Sequence, residues 1–169
     1  LAKAFRVSCN NTFAQTALVI GDSALRKTAE NFGFNDNFLF RDLVVENSRY
    51  PTEKRNQVEI AWSGAGQSQV AATPLHMAMV YATIANNGVR MKPRLIDKII
   101  APDGAIYDEC APQEVCRVMK PSTARDLRFA LESVTQTKGE GGRGTATKAA
   151  IPGFRIGGKT GTAKKTKAG

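Results

Sequence analysis

The chain has 169 residues, the length of one domain or of part of one. Apolar residues make up 42% and charged residues 23%, which excludes general disorder, and no run approaches the roughly 18 apolar residues of a transmembrane helix. Lys and Arg number 24 against 15 Asp and Glu, a net charge of +9, but the bases are scattered without interleaved aromatic residues, which argues against a nucleic-acid partner.

The first third of the chain predicts one helix and a long irregular connection. Asp22 is the predicted N-cap of a helix over Ser23–Phe32, and Gly33 is its predicted stop. Residues 34–57 predict an irregular connection that contains a short strand, because a brief alternation of apolar residues precedes a Tyr-Pro break. The alternating residues are Phe38, Phe40, Leu43 and Val45. Residues 63–66, Ser-Gly-Ala-Gly, predict a loop.

The middle of the chain predicts a helix and a β-hairpin. Thr73-Pro74 pairs a capping residue with Pro at the first helical position, and the helix is expected to end at Asn87-Gly88. Apolar residues recur at helical spacing between these points, at Leu75, Ala78, Met79, Ala82 and Ala85. The turn sequence Ala-Pro-Asp-Gly joins Leu95–Ile100 to Ala105–Asp108, which predicts the hairpin.

The last third predicts a second clear helix and the start of a strand. The helix begins near Pro121 and places four apolar residues on one face, Leu127, Ala130, Leu131 and Val134. Residues 139–144 form a glycine-rich loop, and Phe154–Ile156 alternates like the beginning of a strand. The predicted fold class is therefore α+β, with helices dominant.

The cysteines and the single histidine predict no metal site, because Cys9, Cys110, Cys116 and His76 fit no zinc-binding spacing. Cys110 and Cys116 either close a small loop in an oxidising compartment or remain free thiols, and we favour free thiols. His76 lies alone on a predicted helix and is interpreted as a structural residue.

Two glycine-rich segments match nucleotide-binding patterns by letters alone. Residues 153–160 fit the P-loop pattern, but the preceding Ala150–Pro152 is too short for a buried strand and no helix start follows. Residues 139–144 fit the dinucleotide fingerprint, but they follow a helix rather than a strand. We therefore expect no nucleotide cofactor.

A different pair of motifs fits one chemistry. Ser8-Cys9-Asn10 and Lys159-Thr160-Gly161 match Ser-x-Asn and Lys-Thr-Gly, two of the three motifs of active-serine penicillin-recognising enzymes, in the correct order. Acyl transfer needs a proton carrier, a polar arm for the substrate amide, a cation for a carboxylate and oxyanion donors. Ser8, Asn10, Lys159 and the Thr162 N–H supply these in that order, although either motif alone is weak and a lone Ser-x-Asn usually caps a helix.

Longer segments around these motifs resemble the transpeptidase domain of penicillin-binding proteins. The similar segments are residues 8–18, 32–34, 64–67, 72–89 and 158–163, which stand in the family's order over nearly the whole chain. The resemblance is closer to the monofunctional class B enzymes than to the bifunctional class A enzymes. It implies part of the penicillin-binding protein and serine β-lactamase-like fold, a helical subdomain with a strand that carries Lys-Thr-Gly.

The resemblance also implies a function, a D,D-transpeptidase that cross-links peptidoglycan on the outer side of the bacterial cytoplasmic membrane. In this family a serine attacks the D-Ala-D-Ala amide of a stem peptide, releases the last D-Ala and passes the acyl group to an amine. The implied partners are the stem peptide, β-lactam antibiotics that acylate the same serine, and other proteins of cell-wall and cell-shape synthesis. Membrane contact would come through a segment outside this chain, and no cofactor is implied.

The family's site residues carry over onto matching positions. Ser8 would relay a proton to the leaving group, Asn10 would bind the acyl-side amide, and Lys159 would set the electrostatics of Ser8 and of the carboxylate site. The substrate-binding residues would be Thr160, Gly161 and Thr162, with both hydroxyls on the carboxylate and the Thr162 N–H as half of the oxyanion hole. Cys9 would be a spacer whose side chain points elsewhere.

The chain departs from the family pattern in three places. Gly66-Gln67-Ser68 replaces Gly-Gln-Gly, His76 stands where Gln is common, and no serine is followed by Lys three residues later. In the family, Ser-x-x-Lys lies upstream of Ser-x-Asn, and further strands follow Lys-Thr-Gly. Residues 1–169 are therefore expected to form a partial transpeptidase domain, inactive by itself.

Two alternatives keep these motifs. A non-catalytic penicillin-binding homologue, acting as a sensor or scaffold, would retain the fold without the nucleophile. A class A serine β-lactamase shares Ser-x-Asn and Lys-Thr-Gly, but its motifs stand closer together, and its deacylating Glu-x-x-x-Asn is missing here.

Overall fold

The computed structural model describes residues 1–36, 44–137 and 142–161, which divide into two compact units. Unit 1 contains Leu1–Arg26, Pro51–Val70 and the described part of Arg125–Gly169. Unit 2 contains the described part of Lys27–Tyr50 and Ala71–Ala124. Helices dominate, with short antiparallel strand pairs, which confirms the α+β class.

The described residues form six α-helices, four short strands and one 3₁₀ helix. The helices are α1 (Ala2–Val7), α2 (Asn10–Ile20), α3 (Asp22–Phe32), α4 (Gln57–Gly64), α5 (Pro74–Ala85) and α6 (Pro121–Thr135). The strands are β1 (Val89–Met91), β2 (Lys98–Ile100), β3 (Ile106–Glu109) and β4 (Glu114–Arg117), and the 3₁₀ helix is Thr147–Ala149.

Close packing of α2 against α4 forms part of the core of unit 1. Ala17 on α2 is 1% exposed, and Gly64 at the end of α4 approaches it so closely that a Cβ there would lie 2.5 Å from the Ala17 Cβ. The expectation of a loop over 63–66 was therefore wrong at its start, because α4 continues through Gly64. A capping box begins α4, since the Asn56 side chain accepts from the Glu59 N–H and the Glu59 carboxylate accepts from the Asn56 N–H.

The helix predicted over Ser23–Phe32 is α3, but Asp22 is not its N-cap. Asp22 is the first helical residue, and the Leu25 N–H donates to the Gly21 carbonyl instead. The Asp22 carboxylate accepts from the guanidinium groups of Arg26 and Arg55, whose positive charges attract it away from the helix N–H groups. Gly33 ends the helix with a positive φ of 103°, as predicted.

The helix predicted after Thr73 is α5, in unit 2, and its cap is as expected. The Thr73 hydroxyl accepts from the His76 N–H, and Pro74 occupies the first turn. His76 is completely buried, its Nε2 lies 3.0 Å from the Phe32 carbonyl oxygen, and its ring packs on Phe34. This position confirms a structural histidine. The apolar residues that mark the helical period lie mostly on the exposed side of α5, since the buried residues are His76, Thr83 and Ile84.

The strands of unit 2 form two separate antiparallel pairs. The predicted hairpin is β2 and β3, with Lys98 opposite Glu109 and a turn that ends at Gly104, whose φ is 86°. The pairing of β1 with β4, Val89 opposite Arg117, was not predicted. Cys110 and Cys116 are free thiols, as favoured above.

Some sequence predictions fall outside the described residues. Phe38, Phe40 and Leu43 lie in segment 37–43, and residues 139–141 are the first half of the glycine-rich loop; both stretches lie outside the described residues. In the described part of 34–57 the chain is irregular, with one isolated bridge between Arg49 and Ala71. Among the helices that the structure describes, none has the length and apolarity needed to span a bilayer.

Helix α6 buries the face that the sequence predicts and serves as the platform of unit 1. Ala130 and Leu131 are each 7% exposed and Val134 is fully buried, while Leu127 is half-buried. The chain after α6 returns along its last turn, since the Gly144 N–H donates to the Gln136 carbonyl and the Ala146 N–H to the Val134 carbonyl. This last turn therefore fixes the segment that leads to Lys159.

Candidate active site

Ser8 lies in a tight turn between α1 and α2. It is half-buried and has φ 54° and ψ 51°, a left-handed conformation that is uncommon for a residue other than glycine. Its N–H donates to the Phe5 carbonyl and the Cys9 N–H donates to the Ala4 carbonyl, so that α1 closes on itself before α2 begins. Two consecutive helices therefore hold the Ser8 hydroxyl in a defined place.

Lys159 brings the two ends of the described chain together. Its ammonium donates to the Ser8 Oγ at 2.7 Å and to the Thr160 carbonyl oxygen at 2.8 Å. Partial burial removes water from the ammonium and lowers the pKa of Lys159 below the ordinary lysine value. A lowered pKa increases the neutral fraction of the amine, which is the form able to accept a proton from a neighbouring hydroxyl.

Asn10 and Cys9 complete the Ser-x-Asn motif at the start of α2. Asn10 is the first helical residue and is exposed, so its amide is accessible to a ligand. The Cys9 Sγ accepts a hydrogen bond from the Thr12 hydroxyl at 3.2 Å, in the first turn of α2. That bond and the amide N–H groups of Thr12 and Asn11 lower the pKa of the Cys9 thiol, because they stabilise the thiolate.

Thr160 and Gly161 follow Lys159 in an extended segment. The Thr160 hydroxyl is half-buried and lies 3.2 Å from the Thr145 hydroxyl. Gly161 is exposed, and no described atom lies within 4 Å of the position that a Cβ would take there. Thr162 lies outside the described residues. The structure thus brings Ser8, Lys159 and Thr160 together and places Asn10 two residues from Ser8.

The expected strand at Phe154–Ile156 is not formed, and neither is a strand at Lys-Thr-Gly among the described residues. A strand exists only where a second strand pairs with it, and here the extended chain pairs with helix α6 instead. The Thr135 hydroxyl donates to the Ile156 carbonyl at 2.6 Å, and the Gly158 N–H donates to the Leu131 carbonyl at 3.2 Å.

Sequence reasoning missed two residues that contact this arrangement. Thr145 touches Thr160 through their hydroxyls, and its N–H donates to the Arg6 carbonyl at 3.3 Å. Arg6 is 4% exposed and joins α1 to the last turn of α6. A short helix that carries one arginine gives no signal of its partner 127 residues away, so neither contact could be found from a motif.

The chain matches one known protein family over its whole length. A family model described as the penicillin-binding protein transpeptidase domain matches residues 1–169. The chain belongs to that family. This confirms the resemblance drawn from the Ser-x-Asn and Lys-Thr-Gly segments.

Individual relatives agree with the family model. The peptidoglycan D,D-transpeptidase PbpA of Mycolicibacterium smegmatis is 36% identical over 168 residues, which cover 97% of this chain and 32% of the relative. The crystal structure of PBPA from Mycobacterium tuberculosis superposes with a TM-score of 0.85 at 32% identity, covering 99% of this chain and 38% of that one. The penicillin G acyl-enzyme complex of penicillin-binding protein A from the same organism gives 0.83 at 32% identity, with 99% and 35% covered. The chain spans about a third of the length of these relatives.

Proposed function

We propose that this chain is part of a serine D,D-transpeptidase that cross-links peptidoglycan through an acyl-enzyme. The observation that carries the proposal is the 2.7 Å hydrogen bond from the Lys159 ammonium to the Ser8 hydroxyl, in a chain of the transpeptidase family. It joins the two motifs that the sequence separates by 151 residues. The nucleophilic serine of a Ser-x-x-Lys motif would come from outside residues 1–169, which on this proposal are a partial domain of the class B type.

The proposed reaction transfers an acyl group in two steps. The serine oxygen attacks the carbonyl carbon of the D-Ala-D-Ala amide and loses its own proton, the carbon–nitrogen bond breaks, and that proton passes through the Ser8 hydroxyl to the departing D-Ala amine. An acceptor amine then attacks the ester, gives up a proton by the reverse route and releases the serine. Lys159 serves the relay because its ammonium donates to the Ser8 oxygen and stabilises the negative charge that develops there as the proton moves.

The substrate would lie across the exposed edge of this site. Asn10 has an accessible amide for the acyl-side amide of the stem peptide. Lys159 carries the positive charge for the terminal carboxylate, and the Thr160 hydroxyl beside it supplies a hydrogen bond. Gly161 and Thr162 continue the same motif, with the Thr162 N–H as an oxyanion donor. A β-lactam would occupy the same positions and acylate the serine.

The biological setting is part of the same proposal. The enzyme would act on the outer face of the bacterial cell membrane, where peptidoglycan is assembled, with its membrane contact outside these residues. Its partners would be stem peptides that end in D-Ala-D-Ala, β-lactams and other proteins of cell-wall synthesis.

The test is acylation of the full-length protein by benzylpenicillin, followed by intact mass. We expect a stable adduct of one penicillin on the wild-type protein. Lys159→Ala should slow acylation at least about tenfold, equivalent to about 1.4 kcal/mol of transition-state stabilisation. Thr147→Ser, a conservative change in the 3₁₀ helix, serves as a matched control and should leave the rate unchanged. A folded wild-type protein that forms no adduct would refute the transpeptidase and favour a non-catalytic scaffold.

A further inference from the structure

Arg6 is a buried arginine that the proposed reaction does not use. Its side chain leaves α1 and ends at the carboxyl terminus of α6, where Nε donates to the Ser133 carbonyl at 3.1 Å and an Nη to the Gln136 Oε1 at 2.8 Å. A guanidinium suits this place because its planar fork binds two acceptors at once and its charge opposes the negative end of the helix dipole. Arg6 therefore fastens α1 to the last turn of α6.

The C-terminal part of α6 also forms hydrogen bonds with the segment that carries Lys159. The Thr135 hydroxyl binds the Ile156 carbonyl, and the Leu131 carbonyl binds the Gly158 N–H, one residue before Lys159. The two halves of the Ser8–Lys159 contact are thus held by one common platform, with Arg6 on one side and Thr135 and Leu131 on the other.

A second path connects Arg6 to the site through its backbone. The Arg6 carbonyl accepts from the Thr145 N–H, and the Thr145 hydroxyl contacts the Thr160 hydroxyl, next to Lys159. Because Ser8 follows Arg6 by two residues, these contacts form a closed ring from Arg6 through Thr145, Thr160 and Lys159 back to Ser8.

We propose that Arg6 is a positioning residue, which sets the placement of the Ser8 hydroxyl against the Lys159 ammonium. The inference rests on the proposed function for its kinetic consequence. Helix α1 has only six residues, too few to be stable alone, so its direction depends on its anchors. A rotation of α1 would displace the Ser8 hydroxyl directly, because Ser8 caps the helix.

The test uses three variants of the full-length protein. Arg6→Lys keeps the charge but cannot bind two acceptors in a plane, and Gln136→Ala removes only the acceptor of the Nη bond. Arg155→Lys is the matched control, because Arg155 also binds α6, through Glu132, but is 82% exposed. Acylation by benzylpenicillin is resolved into its binding constant and its first-order rate constant, and thermal unfolding is measured in parallel.

A second readout does not depend on acylation. Competitive labelling with acetic anhydride, read by mass spectrometry, measures the reactivity of Lys159 relative to the other lysines of the same molecule. The Ser8 contact occupies one donor position of the ammonium and keeps it half-buried. Only the neutral amine reacts, so labelling over a series of pH values gives its rate constant separately from its pKa, and loosening the contact should raise that rate constant.

For Arg6→Lys we expect the first-order acylation constant to fall about tenfold with the binding constant nearly unchanged, since misplacement by about 1 Å costs up to about a hundredfold. Labelling of Lys159 should rise at least about twofold, Gln136→Ala should give a smaller change in the same direction, and Arg155→Lys should give none. The positioning role would be overturned if Arg6→Lys lowers the thermal stability but leaves both the acylation constant and the labelling of Lys159 unchanged in the folded protein. A wild-type protein that is not acylated counts against the proposed function alone, and the labelling rate then decides whether Arg6 positions Lys159.

Discussion

Replacing Gly144 by Ala tests the close approach that brings the chain back along α6. A Cβ at this position would meet the Val134 carbonyl oxygen and would lie 2.6 Å from the Val134 carbonyl carbon and 2.9 Å from the Ser133 oxygen. Ordinary contact between carbon atoms is about 3.5–4.0 Å, so the segment would have to retreat by about 1 Å. All of the nearest atoms are backbone atoms of the last turn of α6, which a side-chain rotation cannot move away.

The size of the effect follows from what this retreat would break. The hydrogen bonds from the Gly144 N–H to Gln136 and from the Ala146 N–H to Val134, 3.0 and 2.9 Å long, would both be stretched. Each contributes about 1 kcal/mol, and overpacking costs a further 1–3 kcal/mol or so. We expect the free energy of unfolding to fall by about 3–5 kcal/mol.

Gly158→Ala is the matched control for this prediction. Its Cβ would have the Thr135 Cγ2 as its nearest neighbour, at 4.0 Å, and Gly158 does not have the positive φ that disfavours alanine. Both variants remove the same backbone freedom from the unfolded chain, so the difference between them isolates the steric cost. Urea denaturation followed by circular dichroism measures both. A difference below about 0.5 kcal/mol would refute the close approach of this segment to α6.

Two further substitutions and one titration test other parts of unit 1. Gly64→Ala should lower the free energy of unfolding by about 1–3 kcal/mol, because the new Cβ would lie 2.5 Å from the Phe13 carbonyl oxygen. An unchanged urea denaturation midpoint would contradict the close packing of α2 on α4. Asp22→Asn should lower the free energy of unfolding by about 1–3 kcal/mol in the same assay, because it removes the carboxylate that pairs with the guanidinium of Arg55, which is only 4% exposed. Equal stability of the variant and the wild type would show that this ion pair contributes nothing. In a ¹³Cε NMR titration, Lys159 should show a pKa below the ordinary lysine value. Between the lowered pKa and the ordinary value the unfolded chain binds more protons than the folded protein, so the free energy of unfolding should rise with pH in that range. A pKa at or above the ordinary value would contradict the partial burial of Lys159.

Features governed by local chemistry could be predicted from the sequence. The start of α5 follows from a hydroxyl cap followed by proline, and the β2–β3 hairpin follows from a turn sequence that ends in Gly104. The buried face of α6 follows from its apolar period, with Leu131 and Val134 in the core. In each case the residues that decide the structure are neighbours in sequence.

Errors occurred where a distant partner outweighs the local preference. Asp22 has the side chain of an N-cap, but Arg55, 33 residues later, attracts its carboxylate. Phe154–Ile156 alternates like a strand, but the hydroxyl of Thr135 binds its backbone where a neighbouring strand would. The capping box of Asn56 and Glu59 was the signal that could have revealed α4, and the glycines that follow it concealed the helix.

The geometry of the candidate site also depends on contacts that are distant in sequence. The motifs identified Ser8 and Lys159 as residue types suited to acyl transfer, but nothing local places them 2.7 Å apart across 151 residues. That distance depends on α6, whose last turn holds both segments, because only tertiary packing can offset the entropy lost in closing so long a loop. A motif can therefore be intact while the contact it needs is lost, and the residues that decide between these states, such as Arg6 and Gly144, lie outside every motif.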